Sequence, residues 1–180
     1  MPPSRSRSSK TPLAYPDADG SHIEDFIAFR VAVLAHLMGR IVGLTYGRRF
    51  GVSLRQWRVL AFVGRYGKLS ALEVARLSPL DKSQVSRAAA ELIEHGCLRS
   101  TEAAGDRRRK QLMLTAAGRR LHARLLALGR QRNARYAGVL TDAERAVFER
   151  GLRKLTDEAR TMVRDLQASG REPRVRRAAN

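Results

Sequence analysis

At 180 residues the chain is long enough for one domain with a real core, and two copies can build a helical dimer. Lys and Arg number 35 against 17 Asp and Glu, a formal net charge of +18. Such an excess draws polyanions, nucleic acid first, although a basic membrane-surface protein gives the same total. The single cysteine, Cys97, excludes an intramolecular disulfide framework and fits a reducing cytoplasm.

No apolar run approaches the about 20 residues that a membrane-spanning helix needs. Residues 1–20 are rich in Ser, Pro and Arg and read as a disordered basic tail, with no apolar core to make residues 1–10 a secretory signal. Order is expected from about Ser21, which has capping-box spacing to Glu24. Ile23, Phe26, Ile27, Val31, Leu34, Leu37, Met38, Ile41 and Val42 then recur at helical spacing. That helix is apolar on more than a narrow stripe, so it is expected to face both its own core and a partner chain. The glycines at 47 and 51 break the pattern. A second helix is expected from about Leu54 to Tyr66, capped by Ser53, with Leu54, Trp57, Val59, Leu60, Phe62 and Val63 apolar.

Ser70 caps the next helix, whose inner side is Leu72, Val74, Ala75 and Leu77. Ser78-Pro79 is a turn, because proline disfavours helical geometry at the residue before it. Asp81 then caps a further helix, its carboxylate placed to accept from the N–H of Ser83 or Gln84 at the positive dipole end. Val85, Ala88, Ala89, Leu92 and Ile93 form that helix's buried stripe, and Gly96 ends it in a left-handed turn. Lys82, Ser83, Gln84, Ser86 and Arg87 therefore lie near its outward N-terminal side. Two short antiparallel strands follow, 97–102 and 109–114, with Leu98, Leu112 and Leu114 at period-two positions. Gly105 and Asp106 form the tip, and Arg107, Arg108 and Arg109 come next. A short helix, a turn, a second amphipathic helix and a basic hairpin, in that order, describe a winged helix-turn-helix, which sets one helix in the DNA major groove and a charged loop beside it.

Thr115 caps another helix, carrying Leu121, Leu125, Leu126 and Leu128. Thr141 and Glu144 have capping-box spacing and open a last one, with Val147, Phe148, Leu152, Leu155, Ala159, Met162, Val163 and Leu166 at helical spacing. These stripes are wide enough to bury against a second subunit. Residues 169–180, with Arg171, Arg174, Arg176 and Arg177, read as a basic tail, either solvated or a loose phosphate-binding arm.

Three stretches resemble the MarR family of bacterial transcription regulators. Residues 106–118, Asp-Arg-Arg-Arg-Lys-Gln-Leu-Met-Leu-Thr-Ala-Ala-Gly, are similar to its wing, Asp-x-Arg followed by Leu-Thr-x-x-Gly. Residues 53–60 resemble the family's second helix and residues 92–98 its exit from the recognition helix. The resemblance covers about Ile23 to Leu166. It implies a mainly α winged-helix homodimer, with a DNA-binding lobe at about 53–115 and dimerisation helices at about 21–47 and 116–168. It also implies a repressor on a pseudo-palindromic operator, released by a small aromatic or phenolic ligand such as an aromatic acid or its thioester. Asp106 and Arg108 occupy the Asp-x-Arg positions, where the carboxylate would orient an arginine into the minor groove. Which of Arg107, Arg108 and Arg109 enters stays open, as does a solvated hairpin whose arginines meet only phosphate.

Arg87 is expected to contact a guanine edge or a phosphate, against the alternative of a surface pair with Glu91 at i+4. Ser83, Gln84 and Ser86 either donate to phosphate, read bases or are ordinary surface. His36, Arg40, Tyr46 and Trp57 lie on or near the helices that would wall the ligand pocket. There Arg40 would pair with a carboxylate and Trp57 would stack on a ring, the plain alternative being core and surface. Cys97, between Gly96 and Leu98, reads as a small core residue rather than an oxidation sensor. His22, His36, His95 and His122 lack metal-ligand spacing, no cofactor is implied, and no catalytic constellation is evident. A sequence-tolerant architectural DNA-binding protein is the competing expectation, supported by the charge and the tails.

Overall fold

Several helix starts in this chain are set by side chains that fold back onto the first turn. In the computed structural model, which describes residues 22–103 and 106–169, the hydroxyl of Ser53 accepts from the N–H of Gln56, and the Gln56 side chain accepts from the Ser53 N–H at 2.7 Å. Ser70 with Glu73, Asp81 with Gln84 and Thr141 with Glu144 repeat the reciprocal pattern. The side chains of residues 103 and 106–109 lie outside the described residues, as do both tails, Ser21 and Gly105. Contacts divide the chain into one unit through Leu125 and another from Leu126.

The first unit opens on a 3₁₀ turn, Ile23–Asp25, and then α1, Ile27–Val42. Of the expected break over residues 47–51, only the Gly51 end occurs. The helix widens to a π-helical segment, Gly43–Gly47, and closes in α2, Arg48–Phe50, with Gly51 at φ +65° supplying the left-handed exit. One extra residue in the turn lets the chain pass Gly47 and brings Tyr46 inward. Tyr46 is fully buried, and its hydroxyl donates to the Leu125 carbonyl at 2.8 Å. This unbroken Ile27–Phe50 helix is long and apolar enough, by length and composition, to cross a membrane. The sequence expectation of no such run is corrected, because polar residues interrupt the apolar letters without lowering the average far enough.

Next come α3 (Leu54–Tyr66), α4 (Ala71–Leu77) and α5 (Lys82–Glu94). Val59, Leu60, Val63, Val74, Val85 and Leu92 are buried where these helices meet. Leu72, Leu77 and Ile93, expected inside, are 44%, 44% and 40% exposed. A seven-residue helix makes barely two turns, and Val74 is its one buried side chain. Ile93 sits about 100° around α5 from the buried Leu92.

Gly96, at φ +65°, ends α5, with the Cys97 N–H returning to the Leu92 carbonyl at 2.8 Å. The hairpin is longer than expected: β1 spans Leu98–Ala103 and β2 spans Asp106–Leu114, antiparallel, with Leu98 opposite Leu114 and Thr101 opposite Gln111. Leu69 and Leu112 exchange backbone hydrogen bonds at 2.7 and 3.3 Å, which ties the hairpin base to the segment before α4. Thr115 then joins the hairpin to α6 (Ala116–Ala137), donating to the Gly96 carbonyl at 2.6 Å and accepting from the Gly118 N–H at 3.0 Å. Cys97 is buried, and burial raises its thiol pKa, the opposite of what a reactive thiolate needs.

The second unit holds the end of α6 and α7, Asp142–Ser169. Taken by itself, α7 buries no side chain and carries Val147, Phe148, Leu152, Leu155, Met162, Val163 and Leu166 exposed.

Candidate nucleic-acid interface

The outward side of α5 begins at its cap. The Asp81 carboxylate accepts from the Ser83 hydroxyl at 2.7 Å and the Gln84 N–H at 2.8 Å, and these bonds hold its pKa below the ordinary carboxylate value. Lys82, Ser83, Ser86 and Arg87 are exposed, and Gln84 is half-buried. The Arg87 guanidinium reaches back along the helix, donating to the Ser83 carbonyl at 3.5 Å and the Ser83 hydroxyl at 3.4 Å. Glu91, the alternative i+4 partner, accepts instead from the Gln56 side chain at 2.8 Å. The relay Arg87–Ser83–Asp81 thus keeps a cation over the first turn of α5. Its long hydrogen bonds leave the guanidinium easy to recruit elsewhere.

The β2 backbone carries Asp106, Arg107, Arg108 and Arg109 in extended conformation rather than in a loop after the tip. Their side-chain roles fall outside the described residues.

The four expected ligand residues separate. His36 and Arg40 are exposed on α1, and among the described residues no hydrogen bond, ion pair or ring contact joins them to the other two. Tyr46 is buried with its hydroxyl already bonded, and its ring meets Trp57 at 5.5 Å between centroids and 82° between planes. Trp57 is half-buried and stacks on His122 of α6, at 6.0 Å and 26°. His122 lies so close to Gly64 that a Cβ there would come within 2.5 Å of its Nε2. Burial lowers the His122 pKa, which favours the neutral imidazole. Sequence reasoning does not reach His122 as a ligand residue; the one cue is Gly64 inside the last turn of α3, since a glycine within a helix can mark close approach of a neighbour. Among the described residues no group of His, Cys, Asp or Glu is placed to hold a metal.

A sequence model of the MarR family matches residues 50–109, from the end of α2 through the helix-turn-helix into β2. Over that third of the chain the sequence is similar to the MarR family. Solved structures agree at the level of the fold. The PcaV regulator of Streptomyces coelicolor, solved with its natural ligand, is similar at 26% identity over 74% of this chain and 96% of that one, with a TM-score of 0.61. BpsR of Bordetella bronchiseptica, whose DNA binding is regulated by 6-hydroxynicotinic acid, is similar at 23% identity over 76% and 96%, with a TM-score of 0.68. MepR of S. aureus, solved in complex with DNA, is similar at 18% identity over 74% and 98%, with a TM-score of 0.69. Among curated proteins none matches the sequence significantly. What these similarities share with the chain is a winged-helix fold.

Proposed function

We propose that the protein is a cytoplasmic homodimeric repressor, released from a pseudo-palindromic operator by a small aromatic acid or its thioester. The observation that carries this reading is the exposed side of the first two turns of α5, where Ser83, Ser86 and Arg87 stand on a firmly capped helix. Recognition helices present base-reading side chains from that position, and an arginine there suits a guanine edge.

Dimerisation is supported by the apolar side chains that a single chain leaves uncovered: Ile27 at 60% exposure on α1, Phe148 at 49% and Leu166 at 71% on α7. A partner helix suits the row on Ile27–Phe50 better than lipid does. Arg30 and Arg40 lie within it, and charge inside a bilayer is costly. The effector reading rests on the half-buried Trp57–His122 stack, with Arg40 as the candidate cation for a carboxylate. It is supported by the similarity to BpsR, whose DNA binding responds to 6-hydroxynicotinic acid. A ligand that binds better when the two recognition helices are wrongly spaced lowers DNA affinity, by about 5–150-fold for a coupling of about 1–3 kcal/mol.

The test is fluorescence anisotropy on the DNA flanking the protein's own gene, against excess random DNA, followed by a panel of aromatic acids and thioesters. Binding that survives competitor and falls with one compound is the expected result. Equal loss on every sequence favours the second reading, an architectural DNA-binding protein, for which the net charge of +18 speaks.

A further inference from the structure

A cleft of about 400 Å³ opens between the first turns of α3 and the start of α5. Leu54 and Leu80 give it apolar lining, while Arg55, Arg58 and Gln84 supply polar groups. No carboxylate belongs to its lining. Among the described residues, neither Arg55 nor Arg58 has an acidic side chain within ion-pair distance. Asp81, close in sequence to Leu80, is engaged by Ser83 and Gln84, and Glu91 is engaged by Gln56. Arg58 is half-buried, so its guanidinium has lost part of its hydration without an anion to replace it. Burial accordingly draws its pKa below the ordinary arginine value.

We propose that this cleft is an oxyanion site in which Arg55 and Arg58 grip a phosphate of the DNA backbone. The inference rests on the DNA-binding reading above and extends it beyond the recognition helix and the wing. Gln84 belongs both to the cleft and to the first turn of α5, so an anion held there lies beside the helix that reads the groove. Phosphates line both walls of the major groove, and a helix inserted there brings them against the elements that flank it. Two guanidiniums three residues apart on α3 share one face and present paired donors of the kind phosphate takes bidentately. Such a grip fixes register and adds affinity without reading sequence.

The experiment measures DNA affinity against salt for the full chain and for Arg55→Gln, Arg58→Gln and Arg58→Lys, each checked for folding by circular dichroism. Both Gln variants are expected to weaken operator and random DNA by the same factor. Each should flatten the slope of log K against log salt by about 0.9 for every phosphate left unneutralised, while Arg58→Lys keeps the wild-type slope. Exposed Arg55 serves as the second variant should Arg58→Gln fold poorly. Folded Gln variants with the wild-type slope would overturn the backbone-phosphate assignment. A parallel arm follows the ³¹P line width of inorganic phosphate with DNA-free protein. Broadening that Arg58→Gln abolishes, with an unchanged salt slope, reassigns the cleft to a free small oxyanion and overturns the phosphodiester. Absence of both effects overturns the site altogether. A wild-type chain that binds no DNA while still broadening phosphate sinks the regulator reading and leaves the oxyanion site standing.

Discussion

Gly118 is the point where the wing is fastened to α6, and Gly118→Ala tests that fastening. A methyl group built there falls on the Cys97 carbonyl oxygen, and the next obstacles are the Cys97 carbonyl carbon at 2.9 Å and Cα at 3.3 Å. All three are backbone atoms at the root of β1, which no rotamer change can move aside. The same carbonyl accepts from the Thr115 N–H at 3.1 Å and lies 3.3 Å from the Thr115 hydroxyl, so displacing it loosens both interactions. Replacing a helical glycine by alanine ordinarily gains about 1 kcal/mol. Overpacking costs about 1–3 kcal/mol, and weakening two hydrogen bonds costs roughly another 1–3 kcal/mol. The net expectation is a loss of about 1–5 kcal/mol, or a melting-temperature drop of roughly 2–20 °C for a chain of this size. The assay is urea and thermal denaturation at matched protein concentration, because the proposed dimer would make stability concentration-dependent. Gly64→Ala is the comparison. Its obstacle is the His122 ring, a side chain that can swing away, so it should cost less. A Gly118→Ala protein as stable as wild type, or more so, would refute the reasoning.

Arg87→Ala should weaken operator binding by about 1–3 kcal/mol and relax base preference at one position in each half-site, with the dimer intact by sedimentation; unchanged operator affinity sinks the assigned role. Tyr46→Phe should lower stability by about 1–2 kcal/mol in a urea titration, because the buried Leu125 carbonyl loses a donor. His122 titrates below its ordinary value of 6.5 in the folded chain, so the unfolded chain takes up its proton first as pH falls. Stability is therefore expected to decline from about pH 6.5 downward and to level off below the folded-state pKa, and His122→Phe should flatten that limb. Melts across pH that show no difference between the two proteins would contradict it.

The caps are readable letter by letter. Ser53, Ser70, Asp81 and Thr141 each bond a residue three positions away, so their geometry needs no distant part of the chain. Proline at 79 and glycine at 96 act the same way, through allowed backbone angles at single positions. Helix α5 and its exposed first turn follow from these local rules, as does the order of helix, turn, helix and hairpin. The end of the first helix does not. A glycine at 47 looks like a break, but the chain stays helical there while Tyr46 is anchored on Leu125, 79 residues further on.

The same division runs through the candidate sites. Sequence alone determined the winged-helix order, the cationic character and which helix faces outward, because each depends on neighbours within a turn or on composition. Tertiary structure decided which of Leu72, Leu77 and Ile93 reach the core, that Tyr46 is closed off, and that Trp57 stacks on His122. It also decided that Arg87 turns toward Ser83 while Glu91 serves Gln56, and that Arg55 and Arg58 share a cleft with the first turn of α5. Helical periodicity fixes the angle at which a side chain leaves its helix but not what lies opposite. Depth, pairing and pocket lining are set by chain segments tens of residues apart, and only folding brings those together.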